Sequence, residues 1–294
     1  MEIGYYPGCS LQGASKEFDL SLRKVCDLLG VKLLEVADWT CCGTSPAHEM
    51  SEELSYLLPY GNIRKAVEQG LKKLLVPCPA CLYSLSYTEK MYMQHRLVRS
   101  RLTEAAGYSY AGDLKICHLL DFFRDIITLP TVKQSVKRPL EGWKIASYYG
   151  CMTRFHGVEI DDPERPAIME HVIEALGAEP VEWTHKVECC GASRSITRPD
   201  ITKRLIKEIL DSAKEAGADC IAVVCPLCQS NLDMRQMGLK DASGKRYDIP
   251  ILYLTQFVGI AFGAGPDDLG MHRLMVDPFP LLKEKAKPSH TNAG

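Results

Sequence analysis

Apolar runs of four to six residues alternate along this chain with longer segments whose apolar residues recur at helical spacing. The short runs that we predict to be strands are 3–6, 32–36, 71–76, 145–149 and 220–224. The segments that we predict to be helices are 17–29, 53–69, 80–101, 166–176 and 201–216. Strands that alternate with helices are typical of parallel α/β units, so the pattern predicts an α/β fold.

The chain contains an internal repeat that is marked by cysteines. The segment Ile-Gly-Tyr-Tyr-Pro-Gly-Cys9 aligns with Ile-Ala-Ser-Tyr-Tyr-Gly-Cys151, and a Cys-Cys-Gly triplet and a Cys-x-x-Cys pair follow in both copies. The first copy has the spacing C-x31-C-C-x35-C-x2-C and the second has C-x37-C-C-x34-C-x2-C. The repeat predicts two equivalent domains, 1–138 and 139–294, in which residues 283–294 form a flexible tail.

Charge and hydropathy exclude two classes of function. The formal net charge of −2 is unlike that of a sequence-independent nucleic-acid binder, which needs a basic surface. The longest apolar run, 249–266, is interrupted by proline, glycine and polar residues, so we expect no direct membrane insertion. The chain opens without a basic, apolar leader, and we therefore expect a reducing, cytoplasmic location.

Each copy brings five cysteines to what we expect to be one edge of a parallel sheet, because each cysteine element follows a predicted strand. Soft thiolate sets bind iron-sulfur clusters, zinc or copper(I). Structural zinc takes four ligands and leaves one of five thiols unused, so the set favours a cluster, with a zinc scaffold as the alternative. Three of the thirteen cysteines lie outside the repeat and are predicted to be packing residues: Cys26, Cys117 and Cys220.

The duplicated motif resembles the CCG-domain family, and its two-domain form resembles the B subunits of heterodisulfide reductases of the soluble type from methanogenic archaea. The resemblance implies duplicated Rossmann-like domains and reduction of the coenzyme M–coenzyme B disulfide to two thiols with two electrons and two protons. It also implies two noncubane 4Fe-4S clusters. The implied ligands of the first cluster are Cys9, Cys41, Cys42, Cys78 and Cys81. Those of the second are Cys151, Cys189, Cys190, Cys225 and Cys228.

The resemblance further implies two partners, a ferredoxin-like C subunit and a flavin-containing A subunit, and a small-molecule disulfide with anionic ends. Cations near the second cysteine set are the candidate substrate anchors: Arg154, His156 and Arg194. His156 is the first candidate proton donor, with His48 and His185 as further candidates. An electron-transfer subunit of another oxidoreductase, in organic-acid or sulfur metabolism, is the alternative function.

Overall fold

Two parallel four-stranded sheets with flanking helices make up the fold, as the repeat predicts. The computed structural model describes residues 1–44, 46–155 and 158–286, and at Pro46 and His48 it describes the backbone only. The strand orders are β2-β1-β3-β4 and β6-β5-β7-β8, which are the same order in the two halves. The predicted α/β class and the duplication are therefore confirmed.

The first half contains the first sheet and the helices around it. Its strands are β1 (Glu2–Tyr5), β2 (Lys32–Glu35), β3 (Lys73–Leu75) and β4 (Lys115–Cys117). Its helices are α1 (Gly8–Gln12), α2 (Lys16–Leu28), α3 (Pro46–Met50), α4 (Glu52–Glu68), α5 (Pro79–Gln94), α6 (Arg96–Ala106), α7 (Leu119–Asp121), a π-helix (Phe122–Ile127) and α8 (Leu129–Ser135).

The second half repeats the strand order of the first. Its strands are β5 (Lys144–Tyr148), β6 (Glu179–Val181), β7 (Cys220–Val223) and β8 (Ile251–Tyr253). Its α-helices are α9 (Ile168–Ala175), α10 (Pro199–Glu215), α11 (Pro226–Gln236), α12 (Leu254–Ala261) and α13 (Phe279–Lys285). Its 3-10 turns are Met152–Arg154, Ala192–Arg194 and Met271–Arg273.

The parallel strands place the cysteine loops next to one another. In the first half β1 lies between β2 and β3, and the three cysteine elements follow these three neighbouring strands. The second half places its cysteines after β5, β6 and β7 in the same way. Because all strands of a parallel sheet end at one edge, segments far apart in sequence meet there.

The predicted helix 80–101 is wrong as a continuous element. The chain is extended at His95, with φ −115° and ψ 108°, and α5 and α6 are separate helices on either side of it. Apolar residues continue at helical spacing through the break, so the sequence pattern does not show it. At the break, the Arg99 guanidinium donates to the carbonyl oxygens of Tyr92 and Met93, which satisfies the end of α5.

The two halves exchange their packing elements. Helix α12 of the second half packs on α2 of the first, and α8 of the first half packs on α9 of the second. The Phe18 and Tyr253 rings stack with their centroids 4.2 Å apart, and the hydroxyls of Ser21 and Thr255 lie 2.7 Å apart. Each half therefore completes its core against the other.

The C-terminal segment departs in part from the predicted tail. Residues 283–285 belong to α13, and the Lys285 ammonium lies 2.5 Å from the Asp219 carboxylate. Residues 287–294 lie outside the described part of the chain. Within the described ranges, each helix is too short or too polar to cross a membrane.

Candidate functional site

The first cysteine group lies at the carboxyl edge of the first sheet. Cys9 is in α1, Cys41 and Cys42 follow β2, and Cys78 and Cys81 begin α5. The Cys42 and Cys81 sulfurs are 3.3 Å apart. Hydrogen bonding to neighbouring thiols shifts the pKa of Cys41, Cys42, Cys78 and Cys81, and Cys9 lies within electrostatic range of Cys41, so the structure brings together the five predicted residues of this half.

The second group repeats this geometry. Cys151 follows β5, the Cys189-Cys190 pair follows β6, and Cys225 and Cys228 begin α11. The Cys190 and Cys228 sulfurs are 3.6 Å apart, and the five thiols again influence one another. Both groups are thus assembled in the folded chain.

Two buried tyrosines hold the Cys-Cys loops in equivalent ways. The Tyr6 hydroxyl donates to the Thr40 carbonyl oxygen at 2.6 Å, and the Tyr148 hydroxyl donates to the Glu188 carbonyl oxygen at 2.6 Å. Each acceptor immediately precedes the Cys-Cys pair. Burial is the main cause that raises the pKa of both phenols, and the surrounding thiolates raise it further, so both remain protonated donors.

A second pair of equivalent contacts ties each Cys-Cys pair to the Cys-x-x-Cys helix. The Ser84 hydroxyl donates to the Cys42 carbonyl oxygen at 2.7 Å, and the Asn231 amide donates to the Cys190 carbonyl oxygen at 2.8 Å. Both donors lie three residues after the last cysteine of their group. The relative position of two cysteine elements is therefore fixed in both halves by side chains other than cysteine.

Gly8 and Gly150 leave room beside the sulfurs. Both have a left-handed backbone, with φ of 67° and 60°. A Cβ atom at Gly8 would lie 2.9 Å from the Cys81 sulfur, and one at Gly150 would lie 3.3 Å from the Cys228 sulfur. Glycine is required here both by the backbone angle and by the close approach of the thiol.

Hydrogen bonds between the thiols favour thiolate in each group. Hydrogen bonding from Cys41 and Cys81 is the main cause that lowers the pKa of Cys42, while the same bonds raise the pKa of Cys41 and Cys81. In the second group, hydrogen bonding from Cys228 lowers the pKa of Cys190, and hydrogen bonding from Cys151 lowers the pKa of Cys189. Thiolate is the form that binds metals.

The donor sets fit a polynuclear iron-sulfur group. Five thiols in each half supply the soft ligands that such a group takes. Among residues 1–44, 46–155 and 158–286, no three cysteine, histidine, aspartate or glutamate side chains form a site for a single metal ion.

The other three cysteines lie in the core. Cys26, Cys117 and Cys220 are at most 1% exposed, and the Cys117 thiol donates to the Leu74 carbonyl oxygen at 3.5 Å. Burial is the main cause that raises the pKa of Cys26 and of Cys117 to about 12. These protonated, buried thiols fit the predicted packing role.

The two arginine candidates lie near the second group. Arg154 ends the turn Met152–Arg154 and lines an open cleft that Arg124 of the first half also lines. Arg194 ends the turn Ala192–Arg194. Both side chains are exposed, and neither has an ion pair with a residue that the structure describes.

The histidine candidates are less well placed. His156 and the side chain of His48 lie outside the described residues. His185 is half-buried, and its Nδ1 atom lies 2.9 Å from the Thr184 hydroxyl. His118, which the sequence did not single out, is fully buried, and its Nε2 atom lies 3.0 Å from the carbonyl oxygen of Pro77, directly before Cys78.

Segments that carry the two groups meet at the interface between the halves. Helix α1, which holds Cys9, contacts α11, which holds Cys228. The ring of Tyr83, two residues after Cys81, lies 5.2 Å from that of Phe155, four residues after Cys151. Each half therefore touches the other through segments that carry its cysteines.

One protein-family model matches the chain twice, once around each cysteine group. The CCG cysteine-rich domain matches residues 3–86 and 145–233, which make up more than half of the chain and include all ten cysteines. The chain belongs to the CCG family. Its two CCG domains correspond to the two halves of the structure.

Relatives that align over nearly the whole chain are named as subunits of reductases. The chain is 28% identical over 95% of its length, and 99% of the relative's, to the 8-methylmenaquinol:fumarate reductase membrane anchor subunit of Wolinella succinogenes. It is 26% identical over 96% of both lengths to the B subunit of a ferredoxin/F420H2-dependent CoB-CoM heterodisulfide reductase from Methanosarcina acetivorans. The resemblance to heterodisulfide reductase B subunits is confirmed.

A solved structure shares the fold. The CCG chain is similar to a hypothetical protein from Helicobacter pylori, with a TM-score of 0.74 and 11% sequence identity over 94% of the chain. The chain spans about half, 52%, of that structure's length. At this identity the likeness shows the arrangement of the elements only.

The sequence analysis missed the residues that support the cysteines. Tyr6 and Tyr148 stand three positions before the first cysteine of each copy, so the repeat itself contains the signal for them. Ser84 and Asn231 also occupy equivalent positions but differ in residue type, and only the folded chain shows that they donate to equivalent carbonyl oxygens, those of Cys42 and Cys190.

Proposed function

We propose that this chain is the disulfide-reducing subunit of a larger oxidoreductase and that each CCG domain holds one noncubane 4Fe-4S cluster. The first cluster would bind the group from Cys9 to Cys81, and the second the group from Cys151 to Cys228. Bound clusters would supply the electrons, and the S–S bond would take up two electrons and two protons to give two thiols. The names of the archaeal relatives support the coenzyme M–coenzyme B heterodisulfide as the substrate.

The observation that carries this proposal is the matched pair of thiol groups at one interface. A disulfide has two sulfur atoms that must both accept an electron and a proton. Two equivalent sites whose cysteine-bearing segments touch across the interface suit a substrate with two equivalent reacting atoms. One site alone would suit simple electron transfer equally well.

The residues of the chain contribute orientation and charge. We propose that Arg154 and Arg194 pair with the anionic ends of the substrate, since exposed guanidinium groups without an ion pair bind sulfonate, phosphate or carboxylate in a bidentate manner. The equivalent stretches of the first half, 10–13 and the described part of 44–47, carry no charge. This asymmetry would give an asymmetric disulfide one preferred orientation.

Electrons would come from partner subunits. The relatives are named as subunits of multi-subunit reductases, which supports a ferredoxin-like C subunit and a flavin-containing A subunit as partners. His156 remains the proposed proton donor.

Metal analysis and turnover together test the proposal. We expect anaerobically purified protein to contain about eight iron atoms per chain with matching acid-labile sulfide, four for each cluster. We expect it to reduce the heterodisulfide with an artificial one-electron donor. One or two zinc atoms with little iron would overturn the cofactor assignment, and iron without turnover would overturn the substrate assignment.

A second function is favoured by one specific finding. The Wolinella relative, which is covered almost completely, is named as a subunit of a fumarate reductase. In this case the two clusters would transfer electrons within a complex whose substrate is an organic acid. Rapid oxidation of the reduced clusters by the purified partner subunits, with no reaction towards disulfides, would support this function.

A further inference from the structure

Tyr253 carries a hydroxyl group that the folded chain leaves without a partner. Its side chain is fully buried, and within the described residues its oxygen is one of two buried side-chain polar atoms with no hydrogen bond. Buried hydroxyls are nearly always paired, because an unpaired one costs about 1–3 kcal/mol. A group that binds next to Tyr253 would remove this cost.

Tyr253 lies where the two cysteine groups approach one another. It is the last residue of β8 and pairs in register with Val223 of β7, two residues before Cys225. Its side chain then crosses the interface, because its ring stacks on Phe18 of the first half with the planes 8° apart. Tyr253 therefore lies at the carboxyl edge of the second sheet, beside the strand that leads to Cys225, while its ring contacts the first half.

Electrostatics agrees with this position. Burial is the main cause that raises the pKa of Tyr253, followed by the charge of Glu17. The nearby Ser15 hydroxyl lowers it, although the two side chains do not meet hydrogen-bond geometry. Negative charge on Cys225 or Cys78 would raise it further, and these two residues belong to different groups. The phenol stays protonated and is a donor within electrostatic range of both groups.

The equivalent position in the first half is occupied by His118, which is fully paired. His118 directly follows β4 and Tyr253 ends β8, each immediately precedes a helix, and the backbone N–H of each donates to the side chain three residues later, Asp121 or Gln256. The His118 ring lies 3.0 Å from the Pro77 carbonyl oxygen through Nε2 and accepts from the Leu120 N–H through Nδ1. At this position the first half has His118, whose ring is hydrogen-bonded to the backbone. The second half has Tyr253, whose hydroxyl has no hydrogen-bond partner within the described residues.

We propose that the Tyr253 hydroxyl donates a hydrogen bond to an anionic sulfur atom that is bound between the two cysteine groups. The acceptor is either a sulfide of the second cofactor or a substrate sulfur, and it supplies the partner that the chain itself lacks. This inference rests on the proposed function, since both acceptors depend on iron-sulfur chemistry at these sites. Hydrogen bonds to sulfur stabilise its reduced, more negative state and raise its reduction potential.

The test compares Tyr253→Phe with Tyr60→Phe in the cofactor-loaded protein. Tyr253→Phe keeps the ring on Phe18 and removes only the hydroxyl. Tyr60 is also fully buried, but its hydroxyl already donates to the Tyr108 carbonyl oxygen at 2.8 Å. The control variant therefore loses a buried hydroxyl that already has a partner within the chain.

Two measurements distinguish the possible acceptors. If the acceptor is a cofactor sulfide, Tyr253→Phe lowers the midpoint potential of one cluster in a substrate-free redox titration. A tenfold loss of reduced-state stabilisation corresponds to about 59 mV for one electron. If the acceptor is a substrate sulfur, the potential stays unchanged and the affinity for the product thiols falls about tenfold in anaerobic calorimetry.

The outcomes separate this inference from the proposed function. Unchanged potential and unchanged thiol affinity in Tyr253→Phe, with full iron content, would overturn the role of Tyr253 alone. A lower midpoint potential or a weaker thiol affinity in both Tyr253→Phe and Tyr60→Phe would also overturn it, because the effect would then follow from the loss of any buried hydroxyl. Wild-type protein without iron would instead overturn the proposed function.

Discussion

The single hydrogen atom of the Gly8 side chain decides how closely the first cysteine element approaches the Cys-x-x-Cys pair. Gly8 precedes Cys9 with φ 67°, and a Cβ atom there would lie only 2.9 Å from the Cys81 sulfur. Gly30 has nearly the same φ of 65°, but a Cβ there would have no atom within 4 Å. These two glycines therefore separate the effect of the backbone angle from that of the thiol contact.

We expect Gly8→Ala to lose about half of the iron, because the added methyl group displaces the Cys81 sulfur in the first group only. Gly30→Ala imposes a similar left-handed strain of about 1–2 kcal/mol and should keep its full iron content. Iron analysis of both purified variants checks this prediction. Equal iron loss in the two variants would mean that backbone strain alone is responsible.

His118 makes the stability of the fold depend on pH. Burial lowers the pKa of His118 to about 3, whereas an unfolded chain binds this proton near pH 6.5. Below pH 6.5 the unfolded state takes up a proton that the folded state does not bind. The contribution of His118 to the free energy of unfolding is therefore complete above pH 6.5 and falls as the pH drops towards 3, by up to about 1.4 kcal/mol per pH unit.

We expect this slope to be smaller in His118→Gln, whose side chain does not titrate. Urea denaturation of the wild type and the variant between pH 7 and pH 4.5 measures the difference. Parallel stability curves for the two proteins would show that His118 is not the source of the acid sensitivity.

The cysteine positions were predictable from the sequence, but most of their supports were not. Ten thiols at matching spacings identify both groups before folding is considered, because cysteine is rare and its spacing is repeated. Tyr253 and His118 are unlike residues at equivalent positions, so the repeat conceals their relationship. Their roles depend on which carbonyl or ring lies opposite, and this is set only by the packed structure.

At the scale of single elements, four of the five predicted helices match α2, α4, α9 and α10 within two residues, but the pattern missed several short helices and strands. The strands β4, β6 and β8 have three residues each and no predicted run covers them, whereas the equally short β3 lies within the predicted run 71–76. Residues 249–266, which the composition showed only to be unsuitable as a membrane span, contain β8 and α12. The break at His95 is not visible in the apolar spacing, and the Arg99 guanidinium satisfies the end of α5 there through the carbonyl oxygens of Tyr92 and Met93.

We expect Arg99→Ala to lower the free energy of unfolding by about 1 kcal/mol, because it leaves the carbonyl oxygens of Tyr92 and Met93 without their donor. Arg101→Ala, on the exposed surface of the same helix, should have a much smaller effect. Thermal and urea denaturation of the two variants provide the comparison. A similar loss in both would indicate that only the charge of α6 matters.

For the molecule as a whole, the exchange of packing elements determines how it unfolds. Tyr253 and helix α12 of the second half cover Phe18 and Ser21 of α2 in the first half. In return, α8 of the first half packs on α9 of the second. The two halves resemble independent domains in sequence but share their apolar surfaces. Repeated sequence therefore does not mean independent stability here.

We expect calorimetry of the full chain to show one unfolding transition that includes both halves. A fragment of residues 1–138 should bind a hydrophobic dye and lack a cooperative transition, because its α2 surface has lost α12. The full chain under the same conditions is the control. A sharp, dye-free transition of the fragment would contradict this expectation.

The contact between α2 and α12 also determines how long α2 stays uncovered during synthesis of the chain. Residues 16–28 leave the ribosome more than two hundred residues before residues 254–261. At about 5–20 residues per second, this interval lasts roughly ten seconds to most of a minute. During that time the apolar side of α2 has no covering helix, and the first cysteine group is not yet enclosed by the second half. The nascent chain thus needs protection from aggregation at the same stage at which its first site is open to cofactor insertion.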